Sequence, residues 1–345
     1  NIINKNKKIK TLAPYRLVKT MRAGVLVLGP LLSKYKKAKV SLPGGCAIGT
    51  RPVNLHLYAL KKLGAKIKIK NGYIFATAER GLKGAIIKFP RISVGATENA
   101  ILSSALAEGV TILKNCAIEP EIIDLISFLK KLNVKINING RTITVSKTIK
   151  PKKISHKVIG DRIELGTYLI GGALTAKKFK LKNIETRFVN KEISILRKMG
   201  VKINVGRNFL EVYKSNKLKK INIRTEPYPG FPTDLQAQIM ILMTQAKGCS
   251  QIRENIFENR FMHVPELRRM GAKILVKNNK AYIYGPSSLT GAEVMATDLR
   301  ASVSLVLAGL IADKTTSINR IYHLDRGYQN LEKKLINCKA KIRRI

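Results

Sequence analysis

At 345 residues the chain exceeds the usual size of one domain, so two are expected, each able to bury its own core. Its longest apolar runs, such as "AGVLVLGPLL" and "ASVSLVLAGLIA", stop well short of the roughly 20 residues that span a bilayer, and Cys46, Cys116, Cys249 and Cys338 show neither metal-type pairing nor a dense disulfide pattern, so a soluble protein of a reducing cytoplasm is expected, without a leader. A net charge of +44 would suit nucleic acid or anionic membrane, but lysines are spread along nearly every segment, Trp is absent, and no stretch interleaves aromatic with basic residues; no specific nucleic acid and no membrane is expected as a partner.

The abundance of Ile and Asn beside Lys points instead to a coding bias toward A and T, expressed wherever a solvated face tolerates it. From the N-terminus, "TMRAGVLVLG" at Thr20 predicts a helix rich in small residues, and "LKKLGAKI" at 60 the end of an amphipathic helix that turns into the strand hairpin "KIKIKNGYIFATA". Both signals recur. The first returns as "TENAILSSAL" at Thr97, "TYLIGGALTA" at Thr167, "TDLQAQIMIL" at Thr233 and "TDLRASVSLV" at Thr297. The second returns as "LKKLNVKI" at 129, "LRKMGVKI" at 196, "LRRMGAKI" at 267 and "LINCKAKI" at 335, at steps of 69, 67, 71 and 68 residues.

Each unit therefore carries one buried helix, one surface helix closed by Gly or Asn in the first four copies, and several strands. Each marker Thr is expected to cap its helix. The polar residues at these starts differ in register: Arg22 two after its Thr, Asp234 and Asp298 one after, Arg300 three after. Several buried helices aiming unpaired N–H groups and arginines at one place would make a site for anions.

The segments "APYRLVKTMRAG", "SLPGGCAIGTRPVNLH", "ISVGAT", "EPEIIDL", "DRIELGT", "FPTDLQAQ", "FENRFMHVPELRRMGA", "VMATDLRAS" and "RIYHLDRGY" together resemble the UDP-N-acetylglucosamine 1-carboxyvinyltransferase family of enolpyruvyl transferases, over essentially the whole chain. The resemblance implies an α/β fold of two inside-out α/β barrel domains, 1–158 and 159–345, facing one another across a cleft. The family has six units and five are counted here, so one repeat of about 70 residues, carrying a Lys-Asn pair that holds phosphoenolpyruvate, is expected ahead of Asn1.

The implied reaction moves the enolpyruvyl group of phosphoenolpyruvate onto the 3′-hydroxyl of UDP-N-acetylglucosamine and releases phosphate, without metal or cofactor. By resemblance Cys46, on a loop loosened by two glycines, is the general acid and Asp234 the base, with Asp298 as a second carboxylate at the matching place of the last unit. Arg51, Arg300 and Arg326 are implied for phosphoenolpyruvate, Arg22 for the sugar nucleotide, and Arg260 beside both; paired planar N–H donors suit phosphate and carboxylate. Arg51, Pro52, Val53, Asn54 and Leu55, with Arg91, Ile92, Ser93 and Val94, match the uridine and diphosphate segments, and Ile256 the place beside the sugar. Asn54 stands where the family commonly has Asp, and Arg91 where it has Lys.

His56, His263 and His323 flank the motifs and read as structural; His156 has no visible role. Two other outcomes stay open: a related transferase acting on shikimate 3-phosphate, which lacks "PGGC" followed by "RPVNLH", and a decayed member that keeps the fold without turnover. No signal for an oligomeric state is present.

Overall fold

The computed structural model describes residues 9–19, 21–44, 53–147 and 153–345, Arg22 by its backbone alone. Two compact units emerge from the contacts, one of residues up to Ile159 and one running Gly160–Ile345. The first begins with β1 (Leu12–Ala13), a turn α1 (Tyr15–Val18), a 3-10 segment Arg22–Val27 that runs into α2 (Leu28–Tyr35), then β2 (Lys37–Ser41), α3 (Asn54–Lys62), β3 (Lys66–Lys70) and β4 (Tyr73–Thr77). It continues with β5 (Ile86–Lys88), α4 (Val94–Ser104), β6 (Val110–Lys114), α5 (Pro120–Lys131), β7 (Lys135–Asn139) and β8 (Thr142–Ser146).

The two repeats make two sheets of one pattern, β1-β2-β4-β3 and β5-β6-β8-β7. The first pair of each is parallel and the others antiparallel. A parallel pair needs a crossover, which the buried helix supplies, whereas β3–β4 and β7–β8 close by tight hairpins. Asn71 and Gly72, at φ 51° and 72°, form the one between β3 and β4.

The second unit holds three repeats. The first comprises α6 (Arg162–Thr175), β9 (Phe179–Lys182), α7 (Asn190–Lys198), β10 (Ile203–Val205) and β11 (Phe209–Val212). The next has β12 (Asn222–Arg224), a 3-10 turn Thr233–Leu235, α8 (Gln236–Thr244), β13 (Gly248–Arg253), α9 (Val264–Arg269), β14 (Lys273–Lys277) and β15 (Lys280–Gly285). The last has β16 (Glu293–Met295), α10 (Leu299–Gly309), β17 (Ser317–Asn319), α11 (Tyr322–Asp325) and α12 (Leu331–Asn337). The middle repeat reproduces the pattern as β12-β13-β15-β14; the others form β10-β11-β9 and β16-β17.

The core lies along the buried helices. All nine residues of α8 are buried, and α8 packs against both α6 and α10, as α4 packs against α2 and α3 in the first unit. Sheets flank these helices with one apolar face inward. Their hairpin edges, β3, β7 and β14, carry exposed Lys66, Lys68, Lys70, Lys135, Lys273 and Lys277. The surface helices close as expected: Gly64, Asn133, Gly200 and Gly271 take φ of 93°, 72°, 92° and 92°, and in the fifth copy Lys339 takes the same left-handed place at 67°. Among the described residues no helix is long and apolar enough to cross a membrane.

The expected threonine caps are corrected. Ser93, Asp161 and Asp298 cap α4, α6 and α10. Thr97 and Thr167 sit a turn inside their helices, where Thr97 Oγ1 accepts from the Ala117 amide at 3.1 Å and Thr167 donates to the Ile163 carbonyl at 2.8 Å. Thr20 lies outside the described residues. The repeat kept the threonine in register but not its job.

One buried charge stands out in the second unit. Glu192, in the first turn of α7 and 3% exposed, has its carboxyl pushed up to about 7 by burial, with its own amide, Arg162 and Lys191 opposing. The folded state thus holds a proton that the unfolded chain has released, so stability falls as pH rises from 4.5 toward 7. Glu192→Gln is expected to unfold at higher urea than the parent at pH 8, by roughly 3 kcal/mol, with the gap closing near pH 4.5.

Candidate active site

In the second unit the starts of α8 and α10 and the segment before α9 bring four of the expected residues together. Arg260 donates to Asp234 Oδ1 at 2.8 Å and to the Thr233 carbonyl at 3.4 Å. Arg300, in the first turn of α10, reaches Asp234 Oδ2 at 3.4 Å. Asp298 Oδ1 lies 3.9 Å from Arg260.

Exposure separates these groups. The Arg260 and Arg300 side chains are 3% and 14% exposed, Asp234 38%. The carboxylate is presented to solvent and the guanidiniums back it from beneath. The two aspartates, alike in sequence, differ in duty. Asp298 Oδ1 accepts from the amides of Arg300 at 2.7 Å and Ala301 at 3.1 Å, closing α10. Asp234 is the second residue of its 3-10 turn, whose N-cap position is held by Pro232, and it pairs through Oδ1 with Arg260 and through Oδ2 with Arg300.

Glu254, which the sequence did not single out, holds the threonine that precedes Asp234. Buried just past β13, it accepts at Oε1 from Thr225 Oγ1 at 2.9 Å and from the amides of Ile256 at 2.8 Å and Phe257 at 3.2 Å, and at Oε2 from Thr233 Oγ1 at 3.0 Å. One carboxylate thereby fixes both the residue before Asp234 and the turn bearing Ile256, which is partly exposed. No periodicity marks such a residue; only the four donors around it do.

His263 lies fully buried between the same groups. Its imidazole is pushed down to about 4 by burial, with Arg260 adding to that and Asp298 opposing it, so it stays neutral. His323 is held below its usual value by burial and by Arg326. Arg326 itself is exposed, at the end of α11.

In the first unit the two nucleotide-type segments adjoin at the starts of α3 and α4. A Cβ on Gly95 would lie 3.1 Å from the His56 ring, and Asn99 Nδ2 sits 3.1 Å from His56 Nδ1. Asn99 also accepts from the Gly29 amide at 2.9 Å and donates to the Val25 carbonyl at 3.3 Å, so one buried amide ties α2, α3, α4 and the 3-10 segment that Arg22 opens. Val53 and Leu55 are core residues, while Asn54 and Arg91 are exposed. Ser93 caps α4, between the half-buried Ile92 and the partly exposed Val94. Cys46, Arg51 and Pro52, and the side chain of Arg22, lie outside the described residues. Among those described, no group of His, Cys, Asp and Glu could hold a metal ion.

The division of duty between the aspartates is measurable by chemical unfolding. Asp298→Ala is expected to cost about 1 kcal/mol and Asp298→Asn almost nothing, because Asn caps as well as Asp. Neither change at Asp234 should show that cap-like contrast.

Comparison with known proteins followed the same outline. The profile of EPSP synthase (3-phosphoshikimate 1-carboxyvinyltransferase) matches residues 1–335. The UDP-N-acetylglucosamine 1-carboxyvinyltransferase of Pelagibacter ubique is 57% identical over 345 residues, covering 100% of this chain and 83% of the relative, and that of Rickettsia canadensis is 53% identical, covering 100% and 82%. Among solved structures, the enolpyruvyl transferase NikO from Streptomyces tendae superposes with a TM-score of 0.86 at 25% identity, over 97% of this chain and 80% of that one. EPSP synthase from Acinetobacter baumannii does so at 0.70 and 18%, over 92% and 77%, a likeness of fold alone. With the βαβαββ repeats, the buried helices and these relatives in agreement, the chain belongs to the UDP-N-acetylglucosamine 1-carboxyvinyltransferase family and has the enolpyruvyl transferase fold.

Proposed function

We propose that this chain transfers the enolpyruvyl group of phosphoenolpyruvate to the 3′-hydroxyl of UDP-N-acetylglucosamine, releasing phosphate, as the committed step of peptidoglycan synthesis in the cytoplasm. The observation that carries the reading is the named relative at 57% identity across the entire chain. It favours this acceptor over shikimate 3-phosphate, for which the structural likeness is at 18% identity.

The chemistry asks for a proton delivered to the vinyl CH₂, a proton taken from the sugar hydroxyl, and positive charge around a phosphate and a carboxylate. Asp234 suits the second need: at 38% side-chain exposure it is the more accessible carboxylate of the cluster, beside Asp298 at 14%. Arg300, with Arg51 and Arg326, serves the phosphoenolpyruvate anions, and Arg260 holds Asp234 in place while adding charge. Arg22 and the segments from Arg51 to Leu55 and from Arg91 to Val94 take the sugar nucleotide, with Ile256 against the sugar. Ser93 and the first-turn amides of α4 supply a polar, electropositive end suited to a diphosphate.

Cys46 is the proton donor to the CH₂ in this reading. Cys116 makes the internal control, since it is completely buried and its thiol is pushed up to about 12, chiefly by burial. Phosphate release from phosphoenolpyruvate with UDP-N-acetylglucosamine is expected to fall by about a hundredfold or more in Cys46→Ala. Cys116→Ala should turn over at nearly the parent rate. Equal losses in the two variants would remove Cys46 from the mechanism, and no phosphate release either by this chain or by one extended upstream by the expected repeat would favour a member that has outlived its reaction.

A further inference from the structure

Behind the Asp234 cluster lies a closed set of hydroxyl and amide groups that the reaction does not itself require. Tyr328 is 1% exposed, its ring packed among Val303, Val306, Leu324, Leu331 and Leu335. Its hydroxyl accepts from Arg300 Nη1 at 3.2 Å and lies 2.9 Å from Thr167 Oγ1, while Gln238 Nε2 donates to the Asp234 carbonyl at 3.0 Å and to Thr167 Oγ1 at 3.1 Å. Three repeats meet here: Thr167 on α6, Gln238 on α8, Arg300 on α10.

The direction of each hydrogen follows from the donor inventory. Thr167 gives its proton to the Ile163 carbonyl at 2.8 Å, so its oxygen can only accept from Tyr328 and Gln238. The Tyr328 proton therefore points at Thr167. That leaves the phenol lone pairs to accept from Arg300 Nη1 and, at a longer 3.4 Å, from Gln238 Nε2; the Arg300 guanidinium carbon also lies 5.7 Å from the ring centroid. Burial raises the phenol above its usual range, so it remains a neutral hydroxyl at any working pH. The bond to Arg300 is also shorter than the 3.4 Å link from Arg300 to Asp234.

We infer that Tyr328 is a positioning residue: with its proton anchored on Thr167, its lone pairs fix the angle at which Arg300 presents the rest of its fork to the phosphoenolpyruvate anion. The inference rests on the assignment of Arg300 to that substrate.

Steady-state kinetics of the full chain, varying each substrate in turn, test this. Tyr328→Phe keeps the ring and is expected to raise KM for phosphoenolpyruvate about tenfold, as for loss of a hydrogen bond to a charged group, while kcat and KM for UDP-N-acetylglucosamine move less than threefold. In an Arg300→Ala background the same change should add less than twofold, because its effect runs through that guanidinium. Thr167→Val should reproduce the KM shift and Thr167→Ser, which retains the hydroxyl, should not; this pair serves equally if the Phe variant folds poorly. A raised KM in Arg300→Ala with none in Tyr328→Phe or Thr167→Val overturns the role of Tyr328, as would additive effects in the double variant. An unmoved KM in Arg300→Ala would overturn the assignment of Arg300 and the inference with it.

Discussion

A helix buried on every side must satisfy its first-turn N–H groups and its polar side chains from within the protein, and that requirement organises both units. Among its answers are cap residues at the helix starts, Ser93, Asp161 and Asp298, and single buried side chains that each serve several backbones. Asn99 ties four segments of the first unit. Glu254 ties three of the second, through two threonine hydroxyls and two amides. Once such a group is in place the backbone around it has little freedom, which is the condition a site needs if its charges are to act without rearranging.

The middle and last repeats show how one sequence device yields two local arrangements. Both carry Thr-Asp at the start of a buried helix. In the last repeat the extended backbone of Asp298 turns its carboxylate back on α10, a structural cap that also leans on Arg260. In the middle repeat Pro232 leads into a 3-10 turn, Glu254 takes the Thr233 hydroxyl, and the Asp234 carboxylate is left to face outward between two guanidiniums.

The repeat length, the alternation of buried helix and hairpin, and the recurrence of Asp234, Asp298 and Arg300 at helix starts were legible in the sequence, since periodicity and recurrence report backbone course directly, whereas Arg260 entered only through the resemblance to the family. Which hydroxyl caps which helix was not. Thr97 and Thr167 share a register with Thr233 and Thr297, yet a shift of one turn in where the helix begins moves a side chain from cap to core. Glu254 and Tyr328 escaped for a related reason. Their importance lies in contacts across 21 to 161 positions of chain, between Glu254 and Thr233 and between Tyr328 and Thr167, and no local pattern encodes such a distance.

The lysines along β3, β7 and β14 carry a consequence of another kind. These strands are the open margins of their sheets, where unpaired backbone groups invite a second molecule to add a strand, and Lys66, Lys68 and Lys70 on β3 set like charges along such a margin. Two approaching copies would have to bring those ammonium groups together before any ladder formed. Lysines on these solvated positions thus also oppose edge-to-edge association, a consequence separate from anything they contribute to the site.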